Sequence, residues 1–84
     1  MSALARSLRR LGIVAKPNIS QEDAIRIALR ECERRGWPWS EPVHIDEWLT
    51  AWHFRTNANM LGGNVMITID CRTGVVRKAG FARR

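Results

Sequence analysis

Gly62-Gly63-Asn64-Val65-Met66-Ile67-Thr68-Ile69-Asp70-Cys71-Arg72-Thr73-Gly74-Val75-Val76 is the stretch that decides the fold. Val65, Ile67 and Ile69 alternate with Asn64, Met66, Thr68 and Asp70, the period-two pattern of a strand with one face buried. The following Asp-x-x-Thr-Gly reads as a tight turn. Asp70 accepts hydrogen bonds from backbone amides ahead of it, and Gly74 takes the positive φ that closes the bend. Val75 and Val76 begin the returning strand. Asp70, Thr73 and Gly74 are therefore a structural turn, and their polar groups do not mark catalysis.

Upstream, Ser20 is a good helix N-cap, with Glu22 and Asp23 placed to favour the helix N-terminus. Ile25, Ala28, Leu29 and Cys32 form an apolar stripe, widened by Ala24 and Ile27. Glu22 to Arg26 and Glu31 to Arg35 are i,i+4 pairs. Gly36 suits the residue just past the helix end, and Pro38 prevents continuation. The spacing predicts a helix over about 20–35. Trp37-Pro38-Trp39 should cover its end, and Pro42 opens a first strand in which Val43 and Ile45 alternate with His44 and Asp46. A bend is expected at Glu47 to Thr50. Trp52, Phe54 and Thr56 then share one face of a second strand, opposite His53 and Arg55. Asn57 to Gly63 is a polar, Gly-rich loop with Met60 and Leu61 at its centre. The last strand is expected over Val75 to Lys78, with Phe81 folding back before Arg83-Arg84.

One helix followed by a meander of about four strands implies a two-layer α+β domain, the helix packed across one face of an antiparallel sheet. Ser2 to Leu11 adds a short amphipathic helix, with Leu4, Leu8 and Leu11 on one side and arginines on the other. The organisation is thus a basic N-terminal segment (1–16), the α+β domain (19–80) and a basic tail (81–84).

Eighty-four residues make one small domain with little room for a buried active site as well as a core. Four tryptophans with no tyrosine supply large aromatic burial for so short a chain. No apolar run reaches the roughly 18 residues of a membrane span. Arg6, Arg9 and Arg10 interrupt the leucines of what would otherwise resemble an export signal, so a cytoplasmic location is expected. The net charge of +6 is uneven. Residues 1–16 carry four basic groups and no acid, 17–54 a net −3, and 55–84 a net +5. An acidic middle between basic ends permits attraction to nucleic acid, anionic lipid or an acidic protein, and selects none.

The pattern resembles the PepSY family, in which a helix opening Ile-Ser/Thr-x-x-x-Ala-x-x-Ile/Leu-Ala precedes strands and a terminal Val-x-Ile-Asp-x-x-Thr-Gly-x-Val hairpin. The matching residues are Ile19, Ser20, Ala24, Ile27 and Ala28, then Val65, Ile67, Asp70, Thr73, Gly74 and Val76. Trp52 and Phe54 fall where that family has its aromatic strand, so the resemblance spans roughly residues 19–79. It implies a non-catalytic module of the kind found in peptidase propeptides and regulatory proteins, where it inhibits or chaperones a partner. A second resemblance, to NTF2-like immunity proteins, rests on Gly62-Gly63 before the same hairpin and implies a toxin-binding role.

The residues themselves offer little chemistry. Cys32, His44, Asp46, His53 and Cys71 have no standard zinc spacing, and the Asp70–Gly74 turn has too few acids for calcium. Ser20 is committed to capping. Cys32 lies on the apolar stripe as an inert thiol, whereas Cys71, in an expected exposed turn beside Arg72, has the more reactive setting. The two cysteines are expected to be reduced. Gly62-Gly63 lacks the strand–loop–helix context and the lysine of a phosphate loop. No catalytic, metal or cofactor site is expected.

Protein binding is the favoured function. The partner is an unidentified protein or a second copy of the chain, met through a sheet edge, the N-terminal helix or the Asn57–Gly63 loop. Trp48, Asn57, Asn59, Met60 and Leu61 are the expected contact residues. The alternative is nucleic-acid binding by the basic termini and the sheet face, using Arg55, Arg72, Arg77, Lys78, Arg83 and Arg84.

Overall fold

The computed structural model describes residues 18–83, so the expected N-terminal helix and Arg84 lie outside it. One helix, α1 (Gln21–Arg35), precedes four strands: β1 (His44–Trp48), β2 (Ala51–Arg55), β3 (Asn64–Asp70) and β4 (Val76–Ala82). The strands form an antiparallel meander in the order β1-β2-β3-β4. This is the expected α+β architecture, one helix on a four-stranded antiparallel sheet.

The helix begins and ends where its capping chemistry puts it. The Ser20 hydroxyl accepts from the Asp23 amide, satisfying one of the unpaired donors of the first turn. Gly36 adopts a φ of 70°, and the Trp37 amide returns to the Cys32 carbonyl at 2.9 Å. The surface pairing differs in one place from expectation. Arg26 pairs with Asp23 one turn back, not with Glu22, while Arg34 and Arg35 converge on Glu31. Those two guanidiniums hold the Glu31 carboxyl below its ordinary range.

Small residues make close helix–sheet approach feasible. Ala24, Ala28 and Cys32 recur every fourth residue and are buried, flanked by half-buried Ile25 and Ile27. They meet Phe54, Val65, Ile67 and Ile69, which project from the helix side of β2 and β3. Trp39 tilts against Phe54 and Trp37 against Phe81, closing the end of the core as expected.

Three details depart from the sequence reading. β1 runs on through Trp48, and the turn narrows to Leu49 and Thr50, both with positive φ (50° and 60°). That is the dihedral demand of a two-residue hairpin, met here without glycine. β4 continues to Ala82, so Phe81 is a strand residue paired with Val65 and does not fold back. Burial against Trp37 outweighs the breaking tendency of Gly80 before it. Between Thr68 and Ile69 the register slips by one, leaving Arg77 unopposed in a β-bulge. The bulge turns Arg77 towards Asp70 and Thr50.

Candidate functional site

The Asp70 turn is built as a support. One carboxylate oxygen accepts from the Arg72 and Thr73 amides, each at 2.9 Å, and the other binds Arg77. The Thr73 hydroxyl accepts from the Val75 amide, and Gly74 closes the turn at a φ of 74°. The Thr73 amide, the Arg77 guanidinium and the Arg72 amide hold the Asp70 carboxyl far below its usual range. The turn is also tied to its neighbours. The Cys71 amide donates to Thr50, its carbonyl accepts from the Ile19 amide, and the Trp52 indole donates to the Ile19 carbonyl. Helix entry and both hairpin turns are thereby joined at one end of the sheet.

Cys71 is not the exposed thiol that its turn position suggests. It is buried, and its thiol faces Glu47 at 3.6 Å. Burial, then the Glu47 carboxylate, pushes the thiol up, as burial and Glu31 do for Cys32. Both cysteines are free. The misleading signal is adjacency to Arg72: the cation that acts on the sulfur is Arg77, and burial and Glu47 outweigh it.

The expected contact residues fall into two places. Trp48 lies at the turn end of β1, more than half exposed and stacked on His53 at 4.9 Å. Asn57, Asn59, Met60 and Leu61 lie beyond the far end of β2. Trp48 pairs with Ala51, so six residues of extended chain, or ~20 Å, separate it from Asn57. They are two surfaces, not one. The loop itself is held rigidly by buried Asn64, whose amide donates to the Thr56, Asn57 and Met60 carbonyls while its oxygen accepts from the Gly62 amide. Asn57 turns inward to donate to Gly62. Leu61 remains at the tip, 91% exposed.

Between those places runs the edge of β1. Trp48 and Ala51 close a two-residue hairpin, and such closing pairs exchange both backbone bonds. Alternation then directs the groups of Trp48, Asp46 and His44 towards β2, and those of Ile45 and Glu47 outward. The Thr56 amide donating to Val65 on the other side of β2 obeys the same phase. No strand among the described residues covers that edge. Beside it, Ile25, Trp39, Pro42, Val43 and Ile45 line a mainly apolar groove of about 500 Å³, with Glu41 at its rim. The groove was not anticipated, because Ile25, Val43 and Ile45 read from sequence as ordinary core. Its signal was the position of the strand, first in a meander and hence at a margin.

The face of the sheet away from α1 carries a second, smaller hollow of about 370 Å³, with His44, Asp46, Trp48, His53, Arg55 and Lys78 around it. His44 meets Asp46 at 2.8 Å, and His53 contacts Thr68 and the Trp48 carbonyl. Among the described residues, no three His, Cys, Asp or Glu side chains converge as metal ligands. The cations considered for nucleic acid are dispersed: Arg77 binds Asp70, Arg83 lies over Phe81, and Arg55 and Lys78 reach the hollow. No helix among the described residues is long and apolar enough to cross a membrane. No family, no characterised protein and no solved structure matches the chain.

Proposed function

We propose that this chain is a small non-catalytic, cytoplasmic protein-binding module that accepts an extended segment along β1, in the manner expected of a PepSY-like inhibitory or regulatory domain. The carrying observation is the conjunction of outward backbone groups at Ile45 and Glu47 with the apolar groove beneath them. An added strand gains main-chain hydrogen bonds from the edge, and its alternate side chains gain apolar contact in the groove. The loop tip at Leu61 is a separate contact that can recognise a second part of the partner.

Glu47→Pro tests the edge. It removes an outward N–H while leaving the bonds to β2 intact, a position where proline is tolerated. Affinity capture followed by mass spectrometry should yield partners that the variant loses and Leu61→Ala retains or weakens. Partners that survive both substitutions would reject the reading. The alternative, nucleic-acid binding, predicts instead capture of oligonucleotides that collapses between low and moderate salt.

A further inference from the structure

We infer that β1 is matched to strand β4 of a second copy of this chain, so that copies join head to tail into one continuous sheet. This rests on the proposed use of the β1 edge and identifies its occupant. Among the described residues no strand covers either margin of the sheet, and the two carry opposite charge. Asp46 and Glu47 lie on β1 with Glu41 just before it, whereas Lys78 lies on β4 with Arg83 just after it, Arg77 being paired with Asp70. The acidic middle and basic end of the chain have become opposite edges.

Strand direction and backbone phase agree with the charge. In a four-stranded antiparallel meander, β1 and β4 run in opposite senses, so a copy displaced sideways presents its β4 antiparallel to β1. Lys78 and Gly80 pair with Thr68 and Met66 and spend their backbone groups on β3, which leaves those of Ala79 and Phe81 outward. Setting Ile45 opposite Ala79 and Val43 opposite Phe81 therefore joins outward groups to outward groups, with all four side chains on the helix side. The same register sets Asp46 opposite Lys78 on the other face, with His44 opposite Gly80, where there is open space. A shift of two residues either way loses the Asp46–Lys78 pair. Joining β1 to β1, or β4 to β4, brings together two margins of the same net sign and forfeits the Asp46–Lys78 pair, which favours the head-to-tail contact over a two-fold dimer. The contact is heterologous and leaves a free edge at each end, so growth continues past the dimer.

A single strand pairing belongs to the small class of interfaces, below about 1,200 Å², so association should emerge at roughly 50 µM to 1 mM. Sedimentation equilibrium of the full chain at low salt should show mass rising beyond the dimer over that range. D46K and K78D alter exposed side chains, and circular dichroism should report an unchanged fold. Each alone should need about tenfold more protein to associate. Mixed in equal amounts they should assemble past the dimer again in alternation, because every junction between unlike chains sets an acid at one of the two positions against a lysine at the other. The double variant should assemble again.

A wild-type chain that stays monomeric throughout, or single variants whose mixture is no heavier than either alone, would overturn the inference. In that event, capture of another protein that Glu47→Pro abolishes would leave the proposed function standing without it.

Discussion

Replacing Asn64 is the sharpest test of how the loop between β2 and β3 is held. Its side chain is buried, and its amide serves the Thr56 and Asn57 carbonyls at 2.8 and 2.9 Å, while its oxygen takes the Gly62 amide at 2.9 Å. Asn64→Ala removes the partner of all three backbone groups. At about 1 kcal/mol for each net hydrogen bond, the loss is about 3 kcal/mol. A domain of this length has only about 4–13 kcal/mol to lose. With a urea slope of about 1 kcal/mol/M, the unfolding midpoint should fall by about 2–3 M. Asn64→Asp adds a check on mechanism. A carboxylate there faces three carbonyl oxygens, so its folded pKa lies above its unfolded value. That variant should be most stable in acid and weaken as pH rises through the folded pKa. A midpoint for Asn64→Ala within about 0.5 M of wild type, with Gly62 and Gly63 amides still protected from exchange, would refute the account.

Three further outcomes follow from the turn end of the sheet. Asp70 is held below its unfolded pKa, so its contribution is complete above that value and disappears as pH falls through the folded one. Asp70→Asn should therefore flatten the urea midpoint between about pH 4 and pH 2; an acid dependence equal to wild type would assign the effect elsewhere. Gly74→Ala forces an L side chain to a φ of 74° and brings its Cβ within 3.1 Å of Ile27 Cδ1. It should cost about 1–2 kcal/mol in thermal or urea unfolding, and a neutral result would show that the turn relaxes freely. Native Cys32 and Cys71 should resist iodoacetamide and react only at the rate of unfolding, because both thiols are buried and raised. Fast labelling of Cys71 in the folded protein would contradict its burial beside Glu47.

Secondary structure was legible wherever the cause was local. Ser20 and Gly36 bound α1 because capping needs only the neighbouring amides and carbonyls. Asp70 and Gly74 shape their turn for the same reason, and the alternation of Val65, Ile67 and Ile69 marks a strand whatever it meets. The failures were tertiary. Phe81 was expected to fold back, yet Trp37, 44 residues away in the chain, keeps it in β4. Cys71 was expected to be exposed, yet Ile19, Thr50 and Glu47 close around it.

The candidate site follows the same division. Met60 and Leu61 could be named as exposed apolar residues of a loop, but the buried Asn64 that makes the loop rigid was indistinguishable from any other strand residue. The sequence by itself determined the elements, their order and the segregation of acid from base along the chain, since periodicity and charge are properties of neighbours. Only tertiary structure decided which strands lie at the margins, which backbone groups they leave unpaired, and that the acidic and basic segments stand at opposite edges. Those outcomes depend on pairing register, where moving a strand by one residue would exchange its two faces, and no local pattern specifies that choice alone.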